Sequence, residues 1–281
     1  MNKRIIARLD IKGDNLVKGI HLEGLRVLGK PEDYARYYYE SGADELMFMD
    51  VVASLYNRNS LQDIISRVAR EIFIPLTVGG GLRNIDDIRM ALRSGADKVS
   101  LNTAAVANKH FVSEASRIFG SSNIVACIEA IKQPDGSYLA YTDNAREHTG
   151  LEVVKWAREL QELGAGEIII TSVDNEGTGQ GYDLELIRQV SAAVSIPVIA
   201  HGGAGKLEHL KDLFNDTNVD AVAVASMLHY NRSQMDINPS AFNKEGNIAF
   251  LMSGTGFSKF DTTSIPAMKE YLSSEGVHCR I

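Results

Sequence analysis

With 281 residues, 44% of them hydrophobic, the chain can bury a substantial core, and its length suits one α/β barrel as well as two small domains. Twenty-nine Lys and Arg against 36 Asp and Glu give a net charge of −7, which argues against a broad basic face for nucleic acid but leaves room for local phosphate sites. Cys127 and Cys279 are too few and too distant for a disulfide framework or a metal-ligand cluster, and no apolar stretch approaches the ~20 residues of a membrane span, so the chain is read as cytoplasmic, with neither metal nor cofactor.

Short apolar runs suited to buried parallel strands predict eight strands: Ile5–Leu9, Leu46–Met49, Ile74–Val78, Val99–Leu101, Ile124–Ile128, Ile168–Ile170, Ile196–Ala200 and Val219–Val224. Amphipathic stretches lie between them. Pro31–Ser41 starts on a proline suited to a first helical turn, and Leu151–Leu163 carries apolar residues at helical spacing with Gly164 as a stop. Asn231–Lys259 reads as an inserted segment, followed by a final helix near Pro266–Ser274.

Self-similarity organises these elements. Ile74-Pro75-Leu76-Thr77-Val78-Gly79-Gly80-Gly81 returns 122 positions later as Ile196-Pro197-Val198-Ile199-Ala200-His201-Gly202-Gly203, and Gly42–Leu46 returns at the same offset as Gly164–Ile168. Val99–Thr103 matches Val222–Ser226, and Ile5–Asp10 matches Ile124–Glu129. Two four-stranded halves at this spacing predict a single (β/α)8 barrel over residues 1–281, because each half alone would leave open sheet edges. A doubly wound open sheet fits less well, since its glycine signature normally follows only the first strand.

In such a barrel the loops after the strands form the active face. Gly79-Gly80-Gly81 and Gly202-Gly203 follow the third and seventh strands, while Asn102-Thr103 and Ala225-Ser226 follow the fourth and eighth. Backbone N–H groups beside glycine, at the start of a helix, can cradle an anion, so the duplication predicts a substrate with a phosphate at each end. Asp10 and Glu129 end the first strand of each half and can serve as a general acid and base pair. Lys18, in the glycine-containing stretch Ile11–Lys30, can act from a lid. Asp50 and Asp174 also follow strands, where they can orient substrate or cap helices, and a protonated His201 would favour an anion. At the opposite end, Arg4, Glu45, Lys98 and Glu167 begin strands one, two, four and six, as ion pairs closing the barrel floor or as a gate.

The stretches Arg4-Ile5-Ile6-Ala7, Leu16-Val17-Lys18-Gly19, Thr77-Val78-Gly79-Gly80-Gly81, Ala96-Asp97-Lys98-Val99 and Gly202-Gly203-Ala204-Gly205-Lys206 resemble the cyclase subunit of imidazole glycerol phosphate synthase, from Lys3 to about His229 and again in the last helix. The resemblance implies a glutaminase subunit docked at the N-terminal barrel face, with ammonia passing the Arg4, Glu45, Lys98, Glu167 gate. It also implies catalytic roles for Asp10, Glu129 and Lys18, and phosphate binding by Gly81, Asn102, Thr103, Gly177, Gly203, Ala225 and Ser226. The small phosphorylated substrate would be a phosphoribulosyl formimino aminoimidazole carboxamide ribonucleotide. Departures cluster at the substrate end: Glu129 and Glu176 stand where the family carries aspartate, Arg8 replaces a small residue and His201 a serine. They leave open a paralogue that passes ammonia to a sugar amidotransferase in surface-polysaccharide synthesis. The isomerase that precedes the cyclase shares the half-barrel repeat but has no use for an ammonia gate.

Overall fold

The computed structural model describes residues 2–53, 61–235 and 260–280. Its eight parallel barrel strands are β1 (Arg4–Lys12), β4 (Glu45–Asp50), β5 (Leu76–Gly79), β6 (Lys98–Leu101), β7 (Ile124–Lys132), β10 (Glu167–Ser172), β11 (Val198–His201) and β12 (Ala221–Val224). β12 pairs back onto β1, with Arg4 beside Ala221 and Ala7 beside Val224, so the barrel is closed. The runs expected at Ile74 and Ile196 begin two residues later than their apolar pattern suggests. Pro75 and Pro197 have no N–H for the ladder, although their carbonyls accept from Leu46 and Ile168.

Helices cover the outside: α1 (Pro31–Glu40), α2 (Gln62–Val68), α3 (Ile85–Arg93), α4 (Thr103–Ala107), α5 (His110–Phe119), α6 (Val153–Glu162), α7 (Leu184–Ala193), α8 (Leu207–Asp216), α9 (Ser226–Met235) and α10 (Ile265–Ser274). Their starts are written in the sequence. Asn84, Glu152, Asp183 and Ser264 each accept a backbone N–H of the first turn, and Pro31 occupies the first turn of α1. α6 illustrates the packing: Val153, Trp156, Ala157 and Leu160 lie on one buried stripe, and fully burying one such aliphatic side chain contributes roughly 1.5–3 kcal/mol. Of the expected insertion, Asn231–Met235 continue α9, and residues 236–259 lie outside those described.

Two hairpins were not expected. β2 (Asn15–Ile20) and β3 (Glu23–Gly29) continue antiparallel from β1, while β8 (Tyr138–Thr142) and β9 (Glu147–Glu152) continue antiparallel from β7. The stretch read as a lid is therefore a β-hairpin, and each half of the barrel carries one on its first strand.

Strand alternation sorts the interior into tiers. Ile5, Ala7 and Leu9 of β1 join the large core beneath the helices, whereas Ile6 belongs to a second cluster inside the barrel with Met47, Val125, Cys127, Ile169, Ile199, Ala221 and Ala223. By the same alternation Arg4, Arg8 and Asp10 also point inward. Below the apolar tier stand Arg4, Glu45, Lys98 and Glu167; above it stand Arg8, Glu129, Thr171 and His201.

Candidate active site

At the floor of the barrel the four charged side chains form one closed ring. The Arg4 guanidinium donates one nitrogen to Glu45 and another to Glu167, while Lys98 Nζ reaches the remaining oxygens at 2.9 Å and 3.1 Å. Burial penalises the charge on Arg4, but attraction to Glu167 and Glu45 outweighs it and raises the pKa. Cation and anion alternate, so each carboxylate is satisfied twice and neither charge is stranded in the partly buried floor.

At the other end, a cleft of about 420 Å³ opens between the loops after β4, β5 and β6. Gly81, Asn102, Thr103 and Glu129 all line it, with Arg8, Asp50 and Asp143. Gly80, at φ 92°, admits no side chain because a Cβ would collide with the Asp50 carbonyl. The turn between β8 and β9 forms one wall. Asp143, Asn144 and Ala145 are all left-handed, at φ 53°, 57° and 60°, a costly run for non-glycine residues. It aims the Ala145 N–H at Glu129 Oε2, 2.8 Å away, and brings the Asp143 N–H within 3.4 Å of Thr103 Oγ1. No glycine or repeat in the sequence marks this turn. Burial pushes the Glu129 carboxyl up to about 7, against the lowering effects of the Ala145 N–H, the Arg8 charge and the Asn102 side chain.

Gly177, Gly203, Ala225 and Ser226 line a second space, together with Lys18, Glu176 and His201, but it has a volume of only about 20 Å³. That is room for about one water and less than a phosphate needs. The hairpin fills the remainder. Lys18 is buried in an ion pair with Glu176 and donates to the Gly19 carbonyl at 3.1 Å, while Glu176 Oε2 accepts the Leu22 N–H at 3.0 Å. His21 closes the contact, its N–H donating to the Glu176 carbonyl at 2.9 Å. Burial disfavours the Lys18 charge, but Glu176 and Asp10 more than restore it, so the ammonium is retained.

Asp10 is buried at the end of the inward face of β1 and accepts from Arg8 Nε at 2.9 Å. His201 lies 3.1 Å from the Arg8 guanidinium, and burial, Arg8 and Lys18 hold its pKa well below the usual 6.5. The expected protonated, anion-binding His201 is thus replaced by a neutral imidazole. Asp50 accepts the Val52 N–H at 3.1 Å, and Asp174 accepts the Lys132 N–H at 2.9 Å. The first contact holds the loop after β4, and the second ties the loop after β10 to the end of β7. Burial raises the Cys127 thiol to about 12, which removes it as a nucleophile. Among the described residues no group of three or more His, Cys, Asp or Glu is arranged to hold a metal ion, and no helix is long and apolar enough to cross a membrane.

A family model described as "Histidine biosynthesis protein" matches residues 4–234, the whole stretch that carries the barrel strands and both candidate sites. The chain belongs to the histidine biosynthesis protein family. Within that family it is similar to proteins named "Imidazole glycerol phosphate synthase subunit HisF". It is 59% identical over 207 residues to the one from Legionella pneumophila, covering 74% of this chain and 98% of the relative. It is 45% identical over 248 residues to that of Methanopyrus kandleri, covering 82% of this chain and 91% of the relative, and 46% over 237 residues to that of Lactococcus lactis subsp. lactis, covering 84% and 92%.

Proposed function

We propose that this chain is the cyclase subunit of an imidazole glycerol phosphate synthase in histidine biosynthesis. It uses ammonia from a glutaminase subunit to convert a doubly phosphorylated aminoimidazole carboxamide ribonucleotide precursor to imidazole glycerol phosphate. The observation that carries this reading is the stacking of the barrel interior: a ring of paired charges at the floor, an apolar tier above it, and above that Glu129 in the cleft with Asp10 buried against Arg8. Such a bore suits a small neutral nitrogen nucleophile, because an ammonium ion would lose its hydration in the apolar tier without finding a partner.

In this reading one substrate phosphate binds at Gly81, Asn102 and Thr103, and the other at Gly177, Gly203, Ala225 and Ser226, once the β2–β3 hairpin moves aside. The reacting centre then lies over the bore, with Asp10 and Glu129 as the acid and base pair and Lys18 closing from the hairpin. Glutaminase docks at the N-terminal face, against the Arg4, Glu45, Lys98 and Glu167 ring. Phe73 supports that placement: it lies in the loop leading into β5 at the floor of the barrel, 80% exposed, with Tyr39 edge-on at 6.2 Å between ring centroids. A large aromatic side chain left this exposed suits a contact residue of an interface.

Turnover of the purified chain with this nucleotide and ammonium at alkaline pH tests the assignment, with Asp10→Asn as control. Turnover reduced at least about a hundredfold in the variant supports it. A folded wild-type chain that leaves the nucleotide unchanged refutes it.

A further inference from the structure

Asp10 and Glu129 face the barrel mouth in different company. Arg8 and Asp10 are two residues apart on β1 and share its inner face, and Arg8 Nε donates to Asp10 Oδ1 at 2.9 Å with both side chains buried. The far end of the guanidinium is braced from across the barrel, where Nη1 lies 3.1 Å from His201 Nδ1 on β11 and 3.5 Å from Thr171 Oγ1 on β10. A guanidinium has donors only, so His201 presents a lone pair to it and carries its single proton on Nε2. Lys18 adds a second positive charge within electrostatic reach of Asp10.

Glu129 is held by uncharged donors, the Ala145 N–H at 2.8 Å and the Asn102 side chain. The charged and titratable groups that reach it are Arg8 from β1, Asp143 from the β8–β9 turn and Cys127 on its own strand. Thr171, its neighbour on β10, does not titrate.

We propose that Arg8, braced by His201 and Thr171, is a positioning residue that ties the Asp10 carboxylate to a fixed charge partner, so that Glu129 serves as the acid of the pair and Asp10 as its base. This rests on the cyclase assignment above. The Arg8 guanidinium on β1 and the Glu129 carboxyl on β7 then form one device. Two carboxylates at matching positions of a repeated barrel would otherwise be near-equivalent, and acid–base chemistry needs them to differ.

Infrared difference titration of the free chain tests this without requiring turnover, the Glu129 band being assigned by its loss in Glu129→Gln. The protonated-carboxyl band is expected to disappear with a midpoint near 7 in the wild-type chain. In Arg8→Met, which keeps much of the volume but no charge, the midpoint rises by about one pH unit. Arg8→Lys, which keeps the charge but loses the fork, holds the midpoint near 7 and lowers kcat of the glutaminase complex about tenfold, with a smaller change in KM. An unmoved midpoint in a folded Arg8→Met variant overturns the proposal, as does wild-type kcat in Arg8→Lys. Should Arg8→Met fail to fold, the lysine variant still decides. A wild-type chain that titrates as expected but does not cyclise the nucleotide overturns Glu129's role in turnover through the assignment it rests on, while the titration separately decides whether Arg8 sets the charge of the pair.

Discussion

Replacing Glu129 by glutamine turns its buried carboxyl into a stability measurement. Burial lifts this group from 4.5 to about 7 in the folded chain, and at 1.36 kcal/mol per pH unit that corresponds to about 3 kcal/mol. Below pH 4.5 the carboxyl is protonated whether the chain is folded or not, and Glu129→Gln changes little. As the pH rises through that value the unfolded chain releases its proton while the folded chain keeps it, so the wild-type protein loses stability. The loss is complete once the pH passes about 7 and the native carboxyl also ionises. Glutamine cannot ionise and retains an oxygen for the Ala145 N–H. Against a total stability of roughly 5–15 kcal/mol, the variant should therefore be more stable than wild type by about 3 kcal/mol at pH 8 and nearly equal to it at pH 4.5. Urea unfolding followed by fluorescence of Trp156, the single tryptophan and a buried one, reads the difference directly. The same stability difference at both pH values would refute the reasoning.

Other consequences follow from the floor, the hairpin and the rim. Lys98→Ala opens the charged ring while Arg4 still pairs with both carboxylates, so the barrel should melt within a few degrees of wild type. The ratio of glutamate released to cyclised product should rise above one as ammonia escapes, and a ratio that stays at one would remove the gate. Glu176→Gln leaves buried Lys18 without its ion-pair partner, and hydrogen exchange across residues 15–29 should accelerate at least about tenfold. Unchanged protection there would mean that other contacts hold the hairpin down. Phe73→Asp should weaken glutaminase binding at least about tenfold by calorimetry with little effect on melting, since the ring is 80% exposed; unaltered affinity would move the docking face elsewhere.

Much of the barrel was legible because buried parallel strands are continuous apolar runs, and because a repeat shows each feature twice. The floor could be read for a related reason: a charged residue immediately before an apolar run has only the strand start to occupy. The hairpins escape notice because β9 is almost wholly polar, because Gly24 and Arg26 interrupt the apolar alternation of β3, and because β2 reads as glycine-containing loop. A signal was present in the repeat itself. Gly13 and Gly136, both at positive φ, lie in the turns that follow β1 and β7. His201 reads as an anion-binding residue because a histidine beside a glycine loop looks solvent-facing in sequence, whereas the strand places it inside the barrel next to a guanidinium. The Arg8–Asp10 pair, two residues apart on a strand, was available from period-two spacing alone.

A duplicated barrel has an approximate two-fold axis along its bore, and a molecule with phosphate at both ends could in principle be threaded either way round. The two hairpins break that equivalence. One stands as a wall beside an open cleft of about 420 Å³, while the other lies over its counterpart and leaves about 20 Å³. If the two ends of the proposed substrate bind at these two places, the first phosphate meets the open cleft, and the second enters only when the Lys18–Glu176 contact lets go. On the proposed function, docking would then acquire a direction and an order, and these would fix which end of the substrate comes to rest above Glu129 and which above Asp10.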